Sequence, residues 1–94
     1  MIASKHYLCV FKSRNHALLI FNLFEEEGKD TFQLVSTPCG LQAGCGYSIR
    51  FFHKGYMDII LKKVNENNIP IPKFYFVDKI NGNIKYREIK QKED

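Results

Sequence analysis

The chain has 94 residues, which predicts one domain with a single modest hydrophobic core. Hydrophobic residues make up 45% of the chain and charged residues 26%, a composition typical of globular proteins that excludes a disordered or fibrous chain. The net charge is +4, but lysine and arginine are interspersed with acidic residues, and this pattern disfavours a nucleic-acid partner.

Three elements are predicted in the first half of the chain. Residues 7–11 form an apolar run that is too short for a helix and predicts a buried strand. Ser13 is a suitable helix N-cap, and apolar residues at helical spacing predict a helix over 15–28. A second strand is expected over 31–37, and Pro38 ends it.

Four elements are predicted in the second half. Residues 47–52 predict a third strand, and a second amphipathic helix is expected to begin near Lys54. A fourth strand is expected over 74–77. The Asn81-Gly82 pair is a strong two-residue hairpin signal, so a fifth strand is expected over 84–89.

The order of these elements predicts the fold class. A β-α-β-β-α-β succession is typical of the ferredoxin-like, split β-α-β fold, an α+β architecture with both helices on one face of an antiparallel sheet. The hairpin adds one further strand at the C-terminal side. We expect one domain over residues 1–89 and a charged, disordered tail over 90–94.

The segment from Pro38 to Gly46 is the strongest candidate for a functional site. It contains Cys39, Cys45 and three glycines, between two predicted strands. Glycine allows the backbone to approach another chain or a ligand closely, so a thiol in such a loop is accessible rather than packed. Cys9, in contrast, lies within an apolar strand and is expected in the core.

The cysteine content also bears on the cellular compartment. Three cysteines cannot all pair within one chain, and charged residues interrupt the N-terminal apolar run, so we expect no signal peptide. No segment has the ~20 apolar residues that a membrane span requires. We therefore expect a cytoplasmic protein without a membrane partner, in which a thiol cluster suggests redox, carrier or metal chemistry.

The predicted topology brings the cysteine loop to the start of the first helix. A helix N-terminus carries about half a positive charge, and a neighbouring Lys or Arg lowers the pKa of a thiol further. We expect Lys12, Ser13 and Arg14 beside the loop, with His16 in the first helical turn. These residues and Gly46, which follows Cys45, would stabilise a thiolate or another bound anion.

The chain also resembles a known family of small bacterial domains, the selenium/sulfur carrier-like family, over about residues 6–78. The resemblance rests on a set of short motifs in a fixed order: Val10-Phe11-Lys12-Ser13, His16-Ala17-Leu18, Thr37-Pro38, Cys45-Gly46 and Ile49-Arg50-Phe51. It implies that Cys45 is the recurring thiol and that Ser13 stands at the helix entry. Cys39 departs from the pattern, because the family often has a basic or polar residue after the proline.

The resemblance implies a carrier rather than a turnover enzyme. Cys45 would hold a persulfide or a selenium atom, its partners would be sulfur- or selenium-relay proteins, and no cofactor would be needed. Cys39 could resolve the persulfide as a disulfide with Cys45. We expect a monomer or a small homodimer.

Two other classes of function stay open at this point. Cys39 and Cys45 could form a redox-sensing pair, or the domain could be a binding module without chemistry. No metal site is expected, because the two cysteines are more widely spaced than the C-x₂₋₄-C pairs of structural zinc sites and the histidines show no supporting pattern.

Overall fold

The computed structural model describes residues 5–38, 41 and 46–90 of the chain. Seven elements follow one another along these residues: β1 (His6–Val10), α1 (Arg14–Glu26), β2 (Gln33–Ser36), β3 (Tyr47–Phe51), α2 (Tyr56–Glu66), β4 (Lys73–Ile80) and β5 (Asn83–Ile89). No helix in this described part is long and apolar enough to cross a membrane.

The five strands form one antiparallel sheet in the order β2-β3-β1-β4-β5. β1 lies in the middle, where Cys9 is opposite Ile49 of β3 and Phe74 of β4. The predicted α+β class, with two helices and a five-stranded antiparallel sheet, is confirmed. The finer assignment to the ferredoxin-like fold, and the division into residues 1–89 and 90–94, stay predictions.

One face of the sheet carries both helices, and we call it the covered face. Ala17, Ile20 and Phe24 of α1 belong to the same buried cluster as Met57, Ile60 and Val64 of α2. The strands supply the other side of this core through Cys9, Ile49, Phe51 and Phe74, whose side chains have no solvent exposure. Phe24 stacks on Phe32 with ring centroids 4.2 Å apart.

The opposite face carries no helix, and we call it the outer face. Strand alternation places Leu8, Val10 and Val77 on it, and these three side chains are nevertheless buried. Their burial comes from larger neighbours on the same face: Val35, Leu41, Tyr75 and Tyr86. Leu41 comes from the segment between β2 and β3, so this segment contributes to the outer face.

Residues next to α1 and in the β4–β5 turn explain where these elements begin and end. The backbone N–H of Asn15 donates to the Ser13 hydroxyl oxygen over 3.2 Å, which confirms Ser13 as the N-cap of α1. β4 extends to Ile80, three residues past its predicted end, because the ladder with β5 continues to the Ile80–Asn83 pair at the turn. Asn81 and Gly82 have φ values of 51° and 81°, as this tight turn requires.

Candidate functional site

The two ends of the cysteine loop are joined by hydrogen bonds where β2 ends and β3 begins. The Thr37 N–H donates to the Gly46 carbonyl oxygen over 3.0 Å. The Thr37 and Ser48 hydroxyls share a buried hydrogen bond of 2.7 Å. These bonds close the loop at the end of the sheet where β1 leads into α1, as the antiparallel pairing of β1 with β3 requires.

On the covered face, the loop end lies close to the start of α1. The Arg14 guanidinium lies over the Tyr47 ring, 5.9 Å from its centroid, and Tyr47 directly follows Gly46. The hydroxyl oxygen of Ser13 accepts the hydrogen bond of the N-cap. The start of α1 therefore supplies one cation and the helix N-terminal charge beside the loop end.

On the outer face, Leu41 is the one loop residue between Pro38 and Gly46 that the structure describes. Its backbone N–H donates to the Pro38 carbonyl oxygen over 3.0 Å, which closes a turn. Its side chain packs beside Val10 and Tyr75, and it lines one depression together with Lys12. Lys12 thus lies near Leu41 on the outer face, and Arg14 lies over Tyr47 on the covered face.

Three cations without an ion pair lie near this end of the described molecule. Within residues 5–38, 41 and 46–90, none of Lys12, Arg14 and Lys73 forms an ion pair. Lys63, in contrast, pairs with both Glu27 and Glu66 on the helical side. The pKa of Glu27 is lowered by its hydrogen bond from Lys63, and the pKa of Lys63 is raised by the same bond.

His16 is half-buried in the first turn of α1. Its Nδ1 atom is shielded from solvent, and no described residue forms a hydrogen bond with it. A buried imidazole nitrogen without a partner is costly, because it loses its bond to water. The structure thus shows that His16 is not a fully solvated side chain.

The two cysteines predicted to act, Cys39 and Cys45, lie outside the described residues. Their roles, and the supporting roles of Lys12, Ser13, Arg14, His16 and Gly46, therefore stay predictions. Cys9 is described and has no solvent exposure, which confirms its place in the core. Burial raises the pKa of the Cys9 thiol well above its usual range, so this cysteine remains protonated and unreactive.

The outer-face residues near the loop were not among the residues predicted from the sequence. Leu41 is the one large apolar residue in a glycine-rich segment, and that isolation was a signal that its side chain packs somewhere. Lys73 and Tyr75 alternate with the buried Phe74, which places them on the outer face, but the apolar pattern predicts β4 only from residue 74 onward. Among the described residues, no group of three or more metal-ligating side chains comes together.

Comparisons with known proteins identify a family. Comparisons with curated proteins and with solved structures gave no match. A family model matches residues 6–76, about three quarters of the chain, and this segment includes β1 to β3, both helices and the cysteine loop. This match confirms the resemblance found in the sequence motifs. The chain therefore belongs to the family described as "Putative Se/S carrier protein-like".

Proposed function

We propose that this protein carries a sulfur or selenium atom on the thiol of Cys45. The observation that carries the proposal is the family match, which extends across Cys45 and Gly46. Support comes from the described surroundings of the loop, where Arg14 contacts Tyr47 and Lys12 lies beside Leu41. The partners would be relay proteins that give and accept the atom in the cytoplasm.

The transfer step needs no external oxidant. The Cys45 thiolate attacks the outer sulfur of a donor persulfide, R–S–SH, and the S–S bond of the donor breaks. The donor leaves as a thiolate, R–S⁻, and Cys45 becomes a persulfide that keeps the proton of the outer sulfur. The acceptor thiolate repeats the same exchange, and selenium replaces the outer sulfur in the equivalent selenium reaction.

Electrostatics would favour the reactive form of Cys45. Consecutive Cα atoms are about 3.8 Å apart, so chain connectivity ties Cys45 to Gly46 and hence to the end of the sheet beside Arg14. A nearby guanidinium and a helix N-terminus both stabilise a thiolate. A persulfide is also anionic when deprotonated, so the same charges would hold the loaded form.

We also propose that the domain is of the ferredoxin-like, split β-α-β type. The central position of β1 between β3 and β4, with α1 and α2 sharing one core, supports this assignment. In this arrangement, the loop between β2 and β3 lies at the same end as the start of α1. The fold would thus present the thiol beside Lys12 and Arg14 in every molecule.

The pKa of Cys45 is the first test. Alkylation by iodoacetamide is followed against pH by mass spectrometry, in wild-type protein and in the variant Cys39→Ser, with Cys45→Ser as the control for peptide assignment. We expect a pKa below the ~8.5 of an unperturbed thiol, because thiols beside cations and helix ends titrate at about 3.5–7.5. A value at or above about 8.5 would argue for a binding module instead.

Persulfide loading is the direct test of the carrier role. We expect wild-type protein to accept one sulfur atom per chain from a persulfide donor, seen as a mass increase on the peptide containing Cys45. The variant Cys45→Ser should accept none and should keep the circular dichroism spectrum of the wild type. Equal loading of the Cys45→Ser variant would overturn the assignment of this thiol.

A further inference from the structure

An open depression of about 550 Å³ lies on the outer face next to the cysteine loop. Val10, Leu41 and Tyr75 line it, and the exposed side chain of Ile71 adds an apolar wall. Lys12 and Lys73 supply two cations at its rim. Its size falls within the range of small-molecule sites, which combine apolar walls with a few charged groups.

The two lysines are placed there by the sheet. Lys73 is the first residue of β4 and lies directly opposite Val10 of β1, and Lys12 follows Val10 by two residues. Both side chains are exposed, and no described residue forms an ion pair with either of them. Glu88 stands opposite Tyr75 on the same face, but its carboxylate pairs with Lys90. Two ammonium groups that form no ion pair with a described residue, in a partly apolar depression, favour an anionic ligand over a neutral or cationic one.

We propose that this depression binds the carboxylate groups of a small acidic thiol or persulfide, the immediate sulfur donor of the protein. The inference rests on the proposed function, because it names the class of donor for the thiol of Cys45. Lys12 and Lys73 hold the carboxylates, and the aliphatic part of the donor contacts Leu41 and Ile71. The sulfur of the donor is then presented on the side of the depression that Leu41 lines.

Another depression of the molecule has carboxylates beside its cations. It is about 260 Å³ in volume and lies between the helices. Its Lys29 and Lys63 both pair with Glu27, and Lys63 also pairs with Glu66. An anionic ligand there would have to displace these carboxylates or bind Lys62 alone, whereas neither Lys12 nor Lys73 forms an ion pair with a described residue.

The test compares two donors that present the same sulfur but differ in charge. Glutathione persulfide carries two carboxylates, and its diethyl ester carries none but presents the same sulfur. We expect the variant Lys73→Gln to slow loading from the diacid by about two- to fivefold, the factor that an exposed charge pair typically supplies. Loading from the diester should not slow, because the ester has no carboxylate for Lys73 to hold.

A matched control is available on the same strand. Lys79 is exposed on the same face of β4, six residues further along and therefore about 20 Å from Lys73. The variant Lys79→Gln changes the net charge equally and should leave loading from the diacid at the wild-type rate. An equal slowing by both variants, or no slowing by Lys73→Gln, would overturn the donor site.

Failure of the donor site and failure of the carrier function give different results. Glutathione is titrated into the Cys45→Ser variant and binding is followed by NMR chemical shifts, with and without Lys73→Gln. Binding that requires Lys73, together with wild-type protein that never loads, supports the site and contradicts the carrier function. If the protein loads at the same rate with and without Lys73, the result supports the carrier function and contradicts the donor site.

Discussion

The two faces of the sheet use neighbouring residues for different purposes. Phe51 points into the covered face with no solvent exposure, while Phe52, the next residue, is 40% exposed on the other side. Phe51 contacts Tyr7, Phe32 and Phe74 through their rings. Phe52 lies under the Arg50 guanidinium, which is 5.8 Å from the centroid of its ring.

This difference shows that, along a single strand, side chains that stabilise the core alternate with side chains that are available for contacts with other molecules. The covered face is a continuous aromatic and aliphatic core, so its side chains cannot change without loss of packing. The outer face has a small buried cluster of its own, but its cations and half-buried rings can change without opening the core between the sheet and the helices. The cysteine loop joins the two faces, because Tyr47 at its end packs on the covered side and Leu41 on the outer side.

The largest expected effect tests this separation directly. The variant Phe51→Ala should lower the free energy of unfolding by about 3–5 kcal/mol, because it leaves a cavity in the core. The variant Phe52→Ala removes the same side chain from the outer face and should cost below about 1 kcal/mol. Urea unfolding of both variants measures the difference, and equal losses would refute the division between the faces.

A smaller loss of stability is expected when the buried hydrogen bond between Thr37 and Ser48 is removed. The variant Thr37→Val leaves the Ser48 hydroxyl buried without its partner, and should cost about 1–3 kcal/mol of unfolding free energy. The double variant Thr37→Val/Ser48→Ala should recover part of this loss. Thermal or urea unfolding of the full mutant cycle measures the coupling, and strictly additive losses would show that the hydroxyls do not stabilise each other.

The smallest expected effect is the pH dependence of the unfolding free energy that His6 on the outer face causes. Burial first, and the charge of Arg50 second, lower the pKa of His6 below 6.5 in the folded protein. The unfolded chain therefore binds more protons, and His6 makes the protein less stable as the pH falls through 6.5 towards the folded pKa. Unfolding measured at pH 7.5 and pH 5.5 should show a smaller acid-induced loss in His6→Gln than in the wild type.

The elements of the fold could be predicted well because their signals are local. Ser13 caps α1, and Asn81-Gly82 turns β4 into β5, each through the backbone of its own segment. The burial of Cys9 could be predicted because this residue lies within a short apolar run. The extra length of β4 could not be predicted, because it depends on pairing with β5 and not on the apolar pattern of residues 78–80.

The candidate site could be predicted only in part. The position of Arg14 near the loop followed from strand direction alone, since the end of β1 and the end of β2 lie at one end of the sheet. The depression on the outer face depends on how Leu41, Ile71 and Lys73 come together from three distant segments. Such long-range packing leaves no local pattern in the sequence.

The pairing of β5 with β4 leaves the other edge of β5 facing outward, and its charges decide how two copies of the protein meet there. Antiparallel pairing of two β5 strands about a two-fold axis is most extensive when it is centred on one of the three middle residues, Lys85, Tyr86 or Arg87. These registers place Lys85 against Lys85, Lys85 against Arg87, or Arg87 against Arg87. Like charges directly opposite each other destabilise a strand pair, so β5 resists edge-to-edge aggregation at neutral pH.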